Sequence, residues 1–256
     1  MADPPPPLPY ISGDLVYSRV VRSSGDRALG ERLLEAMARN LRGRYDGARE
    51  AAPSYDGVAG PPYGRDTGPG SPAQPLSMAE VEALFADLAG LEYIPFDFPV
   101  EGCNARAHEM CRVMRERGIV CAKAWTIEVD RPPYAYNKEF GDTQGYVYWH
   151  HHVAPTVCVA GPDGKTIEMV LDPALAKGPL TMEQWLEKQG GPFGLRLERT
   201  DDGPYIYTLV DPKDPDSHEA LVELDPGGAS TRAALDLFRL NRDVLRIQAT
   251  LGGGAP

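Results

Sequence analysis

Cys103 stands in Glu101-Gly102-Cys103-Asn104-Ala105-Arg106-Ala107-His108, where a helix is expected to begin. A helix N-terminus carries partial positive charge that favours a thiolate, the form in which a thiol attacks carbon. A core thiol is the plain alternative, since free cysteines are among the most buried residues. Downstream partners favour chemistry: His150, His151 and His152 supply imidazoles, and Asp172, just before Pro173, supplies a carboxylate. Thiol, base and orienting carboxylate together suit attack on an acyl or carboxamide carbon. The imidazolium protonates the leaving group, and the imidazole then activates water or an amine. The backbone N–H of Cys103, at a helix start, is a natural donor to the developing oxyanion.

The elements that must hold these groups follow from periodicity. Cys103, Ala107, Met110, Cys111 and Met114 recur at helical spacing and predict an apolar stripe. Arg106, Glu109, Arg112, Arg115 and Glu116 fall on a polar face, and Gly118 follows as a helix stop. From Gly145 the chain is aromatic and β-branched enough for a strand, with His150 and His152 on one face and His151 on the other, so any of them can serve as base. A second strand from Val157 turns at Pro162-Asp163-Gly164 and returns from Thr166 to Asp172, where Pro173 ends the ladder. A nucleophile helix packed on an antiparallel β-sheet, in an α+β fold with a transglutaminase- or papain-like core, is the expected architecture.

Three motifs, Gly102-Cys103-Asn104-Ala105-Arg106-Ala107-His108, Trp149-His150-His151-His152-Val153-Ala154 and Leu171-Asp172-Pro173-Ala174-Leu175, resemble the bacterial protein-glutaminase family. The resemblance covers about a third of the chain, from Phe96 to Trp185. It implies deamidation of glutamine side chains in proteins or peptides on a transglutaminase-like fold, with no cofactor. It maps Cys103 to nucleophile, His152 to general base and Asp172 to the residue that orients the base. Two departures stand out. The family usually carries a tyrosine or similar residue before the base, where this chain has His151. Its best-known members are secreted, whereas Met1-Ala2-Asp3 followed by four prolines has neither the basic nor the apolar region of a secretory signal.

Other residues have plainer readings. Two same-face histidines and a nearby Cys158 fall short of a zinc ligand set, so no metal is expected. His108 reads as a structural hydrogen-bond partner, Arg106 as an ion-pair or cap residue, and Cys111 and Cys121 as core. Trp149, His151 and Tyr148 are expected to contact substrate. Tyr134, Tyr136, Phe140 and Tyr146 crowd the same region, and core packing is the alternative for all these aromatics. An acyltransferase or amide-forming enzyme is the second enzymatic reading, and a catalytically silent binding module the third.

A net charge of −11, from 26 basic and 37 acidic residues, argues against nucleic acid and anionic membranes. No apolar run is long enough to span a bilayer. Four cysteines without disulfide-dense spacing fit a reducing cytoplasm. Peptide, protein or small-amide substrates remain as partners. The expected organisation is a strand and helix over 1–42, a Pro/Gly-rich loop or linker over 43–76, a catalytic domain over 77–250 and a disordered tail over 251–256. Capping boxes at Ser77 and Thr181 open two of the helices.

Overall fold

A computed structural model describes residues 74–252 apart from 162–164, 215 and 218. The expectations for 1–42, for most of 43–76 and for the last residues of the tail lie outside the described residues. The described chain up to Asp236 forms one compact unit; from Leu237 it belongs to a second.

The first helix, α1 (Met78–Ala89), opens on the Ser77 capping box and buries Val81, Leu84, Phe85 and Leu88. The side-chain cap satisfies a backbone N–H that the helix leaves open, worth about 1 kcal/mol. The second, α2 (Cys103–Glu116), carries the candidate nucleophile. Then come β1 (Ala122–Glu128), a hairpin of β2 (Tyr134–Tyr136) and β3 (Tyr146–Tyr148), and the long strand β4 (His151–Ala160). They are followed by β5 (Thr166–Val170), β6 (Leu180–Thr181), α3 (Met182–Glu187), β7 (Leu195–Asp201), β8 (Pro204–Leu209), β9 (Ala220–Leu224) and α4 (Ala229–Gly252).

Five strands form an antiparallel sheet in the order β6-β5-β4-β1-β7. Strand alternation divides its core into two clusters. On one face Trp125, Ile127 and Val153 meet Cys103 and Ala107 of α2, together with Tyr207 and Leu209 of β8. On the other, Ala124, Ala154 and Val170 meet Trp185 of α3. The expected α+β architecture, with the helix that begins at Cys103 packed on an antiparallel sheet, is therefore present.

Three local features differ from the sequence expectation. The strand expected from Gly145 through the histidines is two strands: β3 pairs with β2, a register that Trp149 N continues by donating to Pro133 O, whereas β4 pairs with β1 from His151 on. The expected break near Pro155 is absent. The Pro155 carbonyl faces β5, accepting Leu171 N at 2.9 Å, so its missing N–H is on that side too and the ladder to β1 stays whole. Finally, Arg106, His108 and Glu109 are buried, so the first turns of α2 are enclosed nearly all round instead of presenting a polar face.

Candidate active site

Gly102 caps α2 with φ 80°, a left-handed conformation that an L side chain rarely adopts, and this turn sets Cys103 as the first helical residue. The preceding loop is held from two sides. Arg106 Nη1 donates to Phe98 O at 3.1 Å and Glu101 O at 2.5 Å, while Trp149 Nε1 donates to Pro99 O at 2.8 Å. Arg106, read from sequence as an ion-pair or cap residue, is thus a buried clamp on the loop before Cys103. A guanidinium can hold two carbonyls at once because its donors form a rigid fork.

Cys103 is buried where β4 begins, its Sγ 3.6 Å from Asn104 Oδ1 and 4.0 Å from the His151 carbonyl. His151 and His152 start that strand and share the faces of Val153 and Ala154 respectively, by alternation. Burial disfavours the thiolate, but the His151 and His152 imidazoles more than offset it and hold the Cys103 thiol well below its ordinary range.

His152 is enclosed. Its Nε2 donates to Asp172 Oδ2 at 2.7 Å, and its Nδ1 is buried with no hydrogen-bond partner among the described residues. Trp149 stacks on the ring at 4.7 Å between centroids, and Trp185 lies at 5.7 Å. Burial opposes the imidazolium, yet the Asp172 carboxylate raises the His152 pKa to about 9. Asp172 follows the end of β5, as Asp-Pro predicts. Its Oδ2 also accepts from Trp185 Nε1 at 2.9 Å and its Oδ1 from Ala174 N at 3.2 Å. Burial works against this carboxylate, and the His152 charge with these donors keeps it below its usual range.

The other histidines separate clearly. His150 lies outside the strand with its side chain 69% exposed, Nδ1 2.8 Å from Glu128 Oε2. His151 is half-buried and its Nε2 donates to Asn104 Oδ1 at 3.1 Å. His108 is the structural partner expected of it, bonded to Asp225 O and buried Lys123; its pKa falls to about 4 through burial and the Lys123 charge. Cys111 and Cys121 are buried and Cys158 is partly so. Among the described residues no group of three His, Cys, Asp or Glu side chains is arranged to hold a metal.

Of the residues expected to contact substrate, Trp149 turns its indole inward to cover His152, and His151 lies against Cys103 and Asn104. Tyr148, 46% exposed, joins Tyr134 and Tyr146 in a ring cluster on the β2–β3 hairpin. Trp185 and Asn104 were not anticipated. Trp185 is the fourth residue of a capping-box helix, which places it on the helix's inward side, the one signal that pointed to it.

No helix among the described residues is long and apolar enough to cross a membrane. Comparison with curated proteins gives no match. Residues 81–189 match the family described as glutaminase. The fold is shared with the protein-glutaminase from Chryseobacterium proteolyticum solved by NMR: 23% identity, TM-score 0.52, over 65% of this chain and 89% of that one. A crystal structure of protein-glutaminase aligns with the same figures. The matched segment contains Cys103, His152, Asp172 and Trp185, and the chain shares the fold of the protein-glutaminases.

Proposed function

We propose that this chain deamidates glutamine side chains in peptides or proteins, with Cys103 as nucleophile, His152 as acid and base, and Asp172 as its orienter. The observation that carries this reading is the division of labour on one imidazole: Nε2 is committed to Asp172, Nδ1 is left unpartnered, and a depressed thiol shares the site. The Cys103 thiolate adds to the carboxamide carbon. The C–N bond then breaks, and ammonia leaves with the proton held by His152. The imidazole next takes a proton from water, whose oxygen attacks the thioester and releases glutamate and thiol. The backbone N–H of Cys103, open at the first turn of α2, is one oxyanion donor.

Four free thiols support a reducing compartment as the working environment. Glutamine-containing peptides should release ammonia without added amine and gain glutamate at the same position by mass spectrometry. Loss of that activity in Cys103→Ala ties it to the thiol. Incorporation of an added primary amine in preference to water would instead assign acyl transfer, and no ammonia or conjugate from any peptide would remove both readings.

A further inference from the structure

Next to the apolar cluster that holds Cys103 lies a cleft of about 410 Å³ walled by Ile127, Val129, His151, Tyr207, Leu209 and Pro212, with Glu128, His150, Thr208 and Lys213 also on its lining. Two observations join it to the reaction centre. Ile127, Tyr207 and Leu209 belong to the apolar cluster that holds Cys103 and Ala107. His151 borders the cleft while its ring hydrogen-bonds Asn104 and its carbonyl lies 4.0 Å from Cys103 Sγ. A volume of this size falls in the range of ligand-binding clefts, with room for a side chain and the main chain that carries it.

We propose that this cleft is a subsite for an apolar residue adjacent to the target glutamine, which makes apolar-flanked glutamine peptides the preferred substrates. The proposal rests on the deamidase reading. The glutamine carboxamide must reach Cys103, so its main chain stays outside the thiol and the neighbouring side chain falls next to His151. There it meets mostly aliphatic and aromatic walls. A leucine or phenylalanine would shed water against Ile127, Val129 and Leu209. An aspartate or lysine would lose hydration against these walls for little return, since Glu128 is already paired with His150 and Lys213 is exposed to solvent, and a glycine would leave the cleft empty. The tyrosine cluster of β2–β3 offers no such link to the thiol, since its rings meet one another and the Arg131 guanidinium, none of which lines the cleft.

The test measures ammonia release by the full chain from short peptides in which the residue before or after a single glutamine is Leu, Phe, Gly, Asp or Lys. At one of the two positions kcat/KM for Leu or Phe should exceed that for Gly, Asp and Lys by about tenfold or more, a discrimination typical of an apolar pocket. The difference should reside mainly in KM. Val129 is half-buried and lines the cleft, so Val129→Asp should pull the Leu-to-Lys ratio down toward one, and Val129→Phe should shift preference from Phe toward Gly. Ammonia released at equal efficiency from every peptide overturns the subsite and leaves the deamidase intact. Unchanged ratios in both Val129 variants do the same, and if either variant fails to fold the unmodified chain's peptide series decides. Absence of ammonia from all peptides overturns the deamidase reading and the subsite with it.

Discussion

His152 Nε2 stands 2.7 Å from Asp172 Oδ2 with both side chains buried, while His152 Nδ1 has no hydrogen-bond partner among the described residues. A buried imidazole held at one nitrogen by a carboxylate keeps a fixed ring plane and directs its other nitrogen at whatever reacts. The ring is also covered by Trp149 and approached by Trp185, so rotation out of this pose would break aromatic contact as well as the ion pair.

Because that imidazole and His151 depress Cys103, alkylation by iodoacetamide should remain rapid well below pH 8.5, the range of an unperturbed thiol. In His152→Ala the profile should move to higher pH while His151 still depresses the thiol, and adding His151→Ala should carry it to about 8.5 or above. His150→Ala should leave the profile in place, since its exposed ring pairs with Glu128. A normal alkylation profile in the unmodified chain would sink the thiolate assignment.

Trp185→Phe keeps a ring in the core and removes one hydrogen bond to Asp172 Oδ2. A bond from a neutral donor to a buried carboxylate is worth about 1.5–3 kcal/mol, so both stability and the His152 orientation should suffer. The expected result is a fall in kcat of about tenfold with KM nearly unchanged. A change confined to melting temperature would reduce Trp185 to a structural role. Asp172→Asn should cost more, about 10³-fold in kcat, because the amide cannot accept from His152 and Trp185 as a carboxylate does.

The motifs that make Cys103, His152 and Asp172 the candidate site are local and ordered, which is why that expectation can be formed from the chain alone. What surrounds them is not local. Arg106 has the charge and helical position of a surface residue, and only the loop carbonyls at Phe98 and Glu101 make it a buried clamp. The central strand β1 runs Ala-Lys-Ala-Trp-Thr-Ile-Glu and was not anticipated. Its Lys123 is buried because Pro204 O and His108 receive it, partners far away in sequence. Strand β7, with four charged residues among seven, lacks the apolar alternation that announces a strand, and its place beside β1 is set by pairing. His150 falls outside a strand for the same reason: it lies where the chain passes from pairing with β2 to pairing with β1.

Gly102→Ala should disturb the nucleophile more than a methyl group normally would. At φ 80° a Cβ costs about 1–2 kcal/mol, and relief of that strain rotates the first turn of α2, which carries Cys103 and its N–H. Melting temperature should drop modestly, while kcat falls further than the stability loss accounts for. Full activity at reduced stability would show that the Cys103 position tolerates the shift.

The pH dependence of stability isolates the His152–Asp172 pair. Cys103→Ala removes the opposing thiolate, leaving a histidine whose folded pKa is raised above the unfolded value of about 6.5 and a carboxylate whose pKa is depressed. A raised histidine contributes fully below about 6.5 and its contribution is lost as pH rises toward 9; a depressed carboxylate contributes above about 3.9 and its contribution is lost as pH falls through its folded value. The melting temperature of Cys103→Ala should therefore be highest at about pH 6.5 and fall below it as His108, held down to about 4 in the fold, costs stability. Above it the melting temperature should decline through the folded His152 pKa, which lies below about 9 once the Cys103 contribution is gone, and lose that upper decline when His152→Ala is added. In the chain with its thiol, Cys103 opposes the decline, because a depressed thiol contributes more as pH rises toward about 8.5. A flat curve in Cys103→Ala would mean that His152 is neutral in the folded protein, and the imidazolium needed to protonate departing ammonia would then have to form only once substrate is bound.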